Sequence, residues 1–135
     1  MKAYLTRRYI FSASHRLHCD ELSEDENRRV YGKCNNAHGH GHNYALEVTV
    51  SGQVDAATGM ICNLTDLDDV VRREVLDRFD HTNLNLCPEF ASQVPTTENL
   101  SAVIFHILKQ NFTSAHLEKV RLEETLMNSF EYCGS

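Results

Sequence analysis

The chain has 135 residues, 41% of them hydrophobic and 24% charged, with a formal net charge of −6. That length supports one hydrophobic core, so a single domain over residues 1–135 is expected. The acidic balance argues against broad binding to nucleic acid or an anionic membrane, which needs clustered cations, but leaves room for an anionic small molecule held by a few local Arg or Lys residues.

Residues 2–17 alternate, with Leu5, Tyr9, Phe11, Ala13, His15 and Leu17 on one side and Ser12, Ser14 and Arg16 on the other, which predicts a long strand. Residues 18–37 read as a loop with at most one short helical turn. Their Asp20, Glu21, Glu24, Asp25 and Glu26 read as a solvated acidic face. Alternation returns with His40, His42, Tyr44, Leu46, Val48 and Val50, a second long strand that ends in turn-like sequence between Gly52 and Gly59.

Residues 64–79 switch to helical spacing through Leu64, Leu67, Val71, Val75 and Phe79, with Thr65 and Asp68 as a capping box or Asn63 as the cap. After a loop from Asp80 to Pro95, a second helix carries Leu100, Val103, Ile104, Ile107 and Leu108, capped by Thr96 or Thr97. Residues 117–133 read as a closing hairpin around Asn128-Ser129. The order predicts an α+β domain: a four-stranded antiparallel sheet with two helices on one face. Long open edges on such a sheet invite pairing with another chain, so an oligomer is expected.

No apolar run approaches the ~18 residues of a membrane span. Met1-Lys2-Ala3-Tyr4-Leu5 lacks the apolar core and cleavage site of a signal peptide. Cys19, Cys34, Cys62, Cys87 and Cys133, with no Cys-x-x-Cys pair, fit free thiols in a reducing compartment, so a cytoplasmic protein is expected.

Chemistry concentrates around His40-Gly41-His42. Residues i and i+2 of a strand project to one side, so both imidazoles point at one spot. His15, on a neighbouring strand, supplies a third ligand if the two strands pair, and three ligands with one open position suit catalytic zinc. A His-x-His pair alone is weak, and can equally be a pair of core histidines. His38 continues the same alternation and can replace a ligand, act as a base behind the ligands, or stand in solvent. Cys34 lies in a Gly32-Lys33-Cys34-Asn35-Asn36 loop, where Lys33 and a zinc ion can lower its pKa; a loop Cys without such charge is inert. Asp80-His81 reads either as a carboxylate that sets a histidine's tautomer or as a helix-terminal His on the dipole. Glu124 alternates with Leu122 and Leu126 and is expected to face inward, where a heterocycle with an amidine-like N–H pair would satisfy it.

Six segments, in order, resemble the 6-pyruvoyl-tetrahydropterin synthase family: Phe11-Ser12-Ala13-Ser14-His15, Gly32-Lys33-Cys34-Asn35-Asn36, Gly39-His40-Gly41-His42-Asn43-Tyr44, Asp80-His81-x-Asn83-Leu84, Thr96-Thr97-Glu98-Asn99 and Glu124-Thr125. The resemblance implies the tunnelling fold, a ββααββ subunit whose trimers close a barrel and stack into a hexamer with active sites at subunit interfaces. It implies zinc on His15, His40 and His42, Cys34 as the proton-abstracting thiol, and Asp80 and His81 as its relay. Glu124 is implied as pterin anchor and relay member, with Thr97 and Glu98 near the pterin. The implied reaction is loss of triphosphate from 7,8-dihydroneopterin triphosphate to give 6-pyruvoyl-tetrahydropterin; Mg²⁺ as companion of the triphosphate is left open.

A related branch makes 6-carboxy-tetrahydropterin, a precursor of deazaguanine bases such as queuosine. There three residues separate the Cys from the first His, whereas five separate Cys34 from His40. Because His38-Gly39-His40 also satisfies the shorter spacing, the product stays open between the two. Two other readings are a non-catalytic module in which Cys34 and the histidines close a structural zinc site, and a metal-free cysteine hydrolase.

Overall fold

Two strands of 14 residues, β1 (Lys2–His15) and β2 (His40–Gln53), pair antiparallel along their whole length. This register sets His15 directly across from His40 and Ala13 across from His42. The computed structural model describes residues 1–134. β4 (His116–Thr125) pairs antiparallel with β2, and β5 (Asn128–Tyr132) with β4.

The sheet has five strands, not the expected four, in the order β3-β1-β2-β4-β5. The addition is β3 (Thr82–Asn83), parallel to β1. Its cause is local: His81 adopts φ 60°, a conformation uncommon outside glycine, and turns the chain so that its N–H donates to the Ser12 carbonyl at 2.6 Å. The expected hairpin turn also shifts. Asn128 and Ser129 lie within β5, and Leu126-Met127 makes the turn, with Leu126 97% exposed.

The 18–37 segment departs most from expectation, because it contains α1 (Glu24–Tyr31). Ser23 accepts from the Glu26 N–H while the Glu26 carboxylate accepts from the Ser23 N–H, a reciprocal capping box. The 64–79 stripe is helical but composite: α2 (Leu64–Val71), a π turn (Arg72–Leu76) and α3 (Asp77–Phe79). Leu67, Val71, Val75 and Phe79 recur every fourth residue, which on an α-helix drifts about 40° per turn; the wider π turn offsets that drift and keeps all four buried. Asn63 caps α2 and Thr96 caps α4 (Thr97–Asn111).

These helices cover one face of the sheet. Phe11, Tyr44, Leu46, Val48, Val50, Val120 and Leu122 meet Leu67, Val71, Val75, Phe79, Leu100, Ile104, Phe105 and Leu108 in one cluster. Burial of each such side chain contributes roughly 1.5–3 kcal/mol. The opposite face carries ion pairs instead: Glu47 accepts from Arg8 at 3.0 Å and from Arg121 at 2.9 Å. The sheet is open, and β3 covers β1 only opposite Ala13 and Ser14.

Candidate metal centre and active site

Tertiary contacts place His15 and His42 on the helix-covered face, at the end of the β1–β2 pair. His15 is fully buried. Its Nδ1 lies 2.9 Å from the Pro95 carbonyl, which can only accept, so Nδ1 carries the proton and Nε2 presents a lone pair. That Nε2 lies 3.2 Å from the Nε2 of His42. Two nitrogens on one tetrahedral zinc, each about 2.0–2.1 Å from it, would stand about 3.4 Å apart. Burial lowers the pKa of both rings, against the opposing charge of Glu124, and so favours the neutral, metal-binding form.

Cys34 comes to the same point from a 3₁₀ turn (Gly32–Asn35), its Sγ 3.8 Å from His42 Nε2. The ligand atoms of His15, Cys34 and His42 all lie within 4.8 Å of one another, a group able to hold a metal ion. His40 differs from expectation: its ring packs edge-on to His42, 4.7 Å between centroids, but it stands outside that compact group. Burial first, then the Glu124 carboxylate, pushes the Cys34 thiol up, so its thiolate needs a cation beside it. Lys33 does not provide one, since its side chain is exposed and lines a neighbouring cleft.

Glu124 faces inward as expected, 15% exposed, with Oε1 3.8 Å from His42 Nε2. Its other oxygen accepts from the Thr97 hydroxyl at the start of α4. Glu98 is exposed. His38 is exposed too, ahead of the strand, because Gly39 at φ 86° breaks the alternation and β2 begins at His40.

Asp80 and His81 lie elsewhere. Asp80 Oδ1 accepts from the Ser12 N–H at 2.8 Å and lies 3.0 Å from His81 Nδ1; the Ser12 bond, then the His81 interactions, hold its carboxyl below the ordinary value. His81 is 83% exposed and lines a depression of about 430 Å³ with Ser12, Ser14 and Asn43. Those residues occupy the uncovered face of the sheet. Among the described residues no hydrogen bond or ion pair joins this couple to Cys34.

Comparison with known proteins decides the family. A family model described as 6-pyruvoyl tetrahydropterin synthase matches residues 4–135. The chain belongs to that family. It is 45% identical to the 6-pyruvoyl tetrahydrobiopterin synthase of Homo sapiens over 98% of this chain and 92% of the relative. A solved Caenorhabditis elegans 6-pyruvoyl tetrahydropterin synthase superposes with a TM-score of 0.92 at 42% identity, covering 100% of this chain and 97% of that one. The 6-carboxy-5,6,7,8-tetrahydropterin synthase of Haemophilus influenzae is 30% identical over 75% of this chain and 84% of its own. The expected enzyme class, a lyase, follows from the family membership.

Within this family's architecture, several supporting residues escape a reading by motif. Pro95 acts through a backbone carbonyl, which leaves no side-chain signal. Tyr44 is fully buried with its Oη 3.4 Å from His15 Nδ1; burial first, then Glu124 and Cys34, pushes its phenol up. Asn35 donates to the Leu17 carbonyl at 2.7 Å and fixes the turn that presents Cys34. Its polarity was visible in the sequence, but not its burial. No helix of the described residues is long and apolar enough to cross a membrane.

Proposed function

We propose that the chain converts 7,8-dihydroneopterin triphosphate to 6-pyruvoyl-5,6,7,8-tetrahydropterin with release of triphosphate, in a zinc-dependent reaction. The observation that carries this reading is the convergence of His15, His42, Cys34 and Glu124 on one largely buried point. The donor set fits zinc: neutral imidazoles with a 3.2 Å separation of Nε2 atoms. His15 and His42 would hold the ion, with His40 beside them as third ligand. Bound zinc would supply Lewis-acid polarisation of substrate oxygens and a positive charge next to the Cys34 sulfur.

Cys34 Sγ is the base that takes a proton from the side-chain carbon next to the ring. Glu124, oriented by Thr97, accepts the paired N–H groups of the pterin. Tyr44 and the helix-covered wall exclude water from the reacting atoms. The oxidation of the side chain is balanced by reduction of the ring, so no external redox partner is required. Asp80 and His81 face away from Cys34 in one chain, so their relay role belongs to the pocket of a neighbouring copy. Glu98, exposed at the start of α4, would meet a pterin only at such a junction. A hexamer of two trimers closes the open sheet edges into barrels and creates these junctions. Mg²⁺ would travel with the substrate triphosphate, and the free cysteines are consistent with a reducing compartment such as the cytoplasm.

The pyruvoyl product is favoured over the carboxy product. The position of His38, outside β2 and exposed, supports His40/His42 as the ligand pair and with it the longer spacing from Cys34. One observation favours a second reading, a structural zinc site closed by Cys34: its Sγ stands in the compact group. Cys34→Ala separates the two. Catalysis predicts unchanged zinc content with turnover reduced by about 10²-fold or more; zinc loss with unfolding would establish the structural site instead.

A further inference from the structure

Tyr44 is the largest fully buried side chain among the described residues. Its ring stacks on Phe11, centroids 5.1 Å apart and planes at 18°, where a second Phe would fill the same space. Packing therefore accounts for the ring but not for the hydroxyl, which is unfavourable to bury without partners. Two partners meet it. Tyr44 Oη hydrogen-bonds with the side chain of Thr97 at the start of α4, and it lies 3.4 Å from His15 Nδ1. Thr97 in turn donates to one oxygen of Glu124, whose other oxygen lies 3.8 Å from His42 Nε2.

One arrangement of protons satisfies all of these contacts. A carboxylate accepts, so the single Thr97 proton goes to Glu124 and the Thr97 oxygen accepts from Tyr44. The Tyr44 proton is then committed to Thr97, and toward His15 the phenol oxygen accepts. His15 Nδ1–H, which donates to the Pro95 carbonyl at 2.9 Å, has Tyr44 Oη as its second acceptor. Every donor thus points the same way, from His15 through Tyr44 and Thr97 to the Glu124 carboxylate. We propose that Tyr44 is a positioning residue that couples the pterin anchor to the metal centre, passing the pull of Glu124 through Thr97 to the His15 imidazole; this rests on the pterin and zinc roles proposed above. Hydrogen bonds aligned head to tail polarise one another, and a firmer bond at Nδ1–H makes Nε2 a stronger metal donor. When the N–H groups of a pterin donate to Glu124, its pull on Thr97 weakens and His15 holds a metal less tightly. A filled ring pocket thus makes the metal site more electron-withdrawing as substrate oxygens reach it.

Zinc affinity, read by competition with a chelator, tests the coupling on Tyr44→Phe, Thr97→Val, the two together, and Thr97→Ser. Tyr44→Phe is expected to weaken zinc binding about ten-fold, the lower end for a residue that supports a ligand histidine, since the Pro95 bond remains. Among the described residues no hydrogen bond or ion pair joins Thr97 to a histidine, yet Thr97→Val should also weaken zinc binding. Added to Tyr44→Phe it should cause no further loss, because the chain is already cut. Thr97→Ser keeps the hydroxyl and should keep the wild-type affinity. Loss confined to Tyr44→Phe, or losses that add in the double variant, would overturn the proposal. Pterin, the ring without a side chain, should lower the zinc affinity of the wild type about five-fold and leave that of Tyr44→Phe unchanged. No shift in a wild type that binds pterin, or an equal shift in both proteins, refutes coupling through Tyr44. If calorimetry shows that the wild type binds no pterin, the pterin role of Glu124 fails, and the zinc-only comparison still decides Tyr44. If Tyr44→Phe does not fold, Thr97→Val against Thr97→Ser decides: loss in the Val variant alone supports the chain, and equal affinities refute it.

Discussion

His42 Nε2 stands 3.8 Å from Cys34 Sγ and 3.8 Å from Glu124 Oε1, so one imidazole touches both the thiol and the carboxylate. That spacing divides labour between the residues. His15 and His42, kept neutral by burial, are suited to hold a cation; Glu124, with oxygens facing the site, is suited to accept from N–H donors. Glu124→Gln keeps the shape but replaces one accepting oxygen with a donor. It should raise KM for the pterin substrate by about ten-fold or more while zinc content, read by atomic absorption, stays at the wild-type level. Zinc loss parallel to the loss of binding would place Glu124 among the metal ligands. The inward direction of Glu124 was legible from its alternation with Leu122 on a strand. Its tie to Thr97 was not, because the two residues meet only when α4 packs over β4.

At the scale of elements, long strands and stripes were the readable parts. β1 and β2 follow from period-two alternation, and α2 to α4 from recurring apolar positions. α1 was missed although Ser23-x-x-Glu26 spells its capping box, since its acidic residues were read as loop charge. Its anchor is Asn27, fully buried, which bonds the Cys19, Leu22 and Ser23 carbonyls and the Cys19 N–H; no local pattern announces such burial. β1 is tied to α2 by Asp68, which accepts from Tyr9 at 2.7 Å and from Arg7 at 3.1 Å. These bonds, Arg7 first, hold the Asp68 carboxyl below its ordinary 3.8. A depressed carboxyl stabilises the fold above its unfolded value and loses that contribution as pH falls through the folded one. Asp68→Asn should therefore lower stability by about 1 kcal/mol at pH 7, with the exposed ion pair adding little. Urea midpoints of wild type and variant should converge below the folded pKa, and a gap that persists there would remove the carboxylate from the explanation.

For the whole molecule, the open sheet and the separation of His81 from Cys34 point the same way. Tyr4 and Ile10 are exposed on the uncovered face of β1, and Leu126 and Met127 at the β4–β5 turn. A chain that pairs its edges with copies of itself would bring one subunit's Asp80-His81 to another's Cys34. Mixing subunits checks this: Cys34→Ala and His81→Ala should each be inactive alone. After co-refolding, about a quarter of sites should regain both intact residues. No recovery in the mixture would confine the relay to one chain or remove it. The reaction itself is tested most directly by product identification. Zinc-loaded protein incubated with 7,8-dihydroneopterin triphosphate should release inorganic triphosphate and 6-pyruvoyl-tetrahydropterin in equal amounts by mass spectrometry; release of 6-carboxy-tetrahydropterin, or unconsumed substrate, would contradict the assigned function.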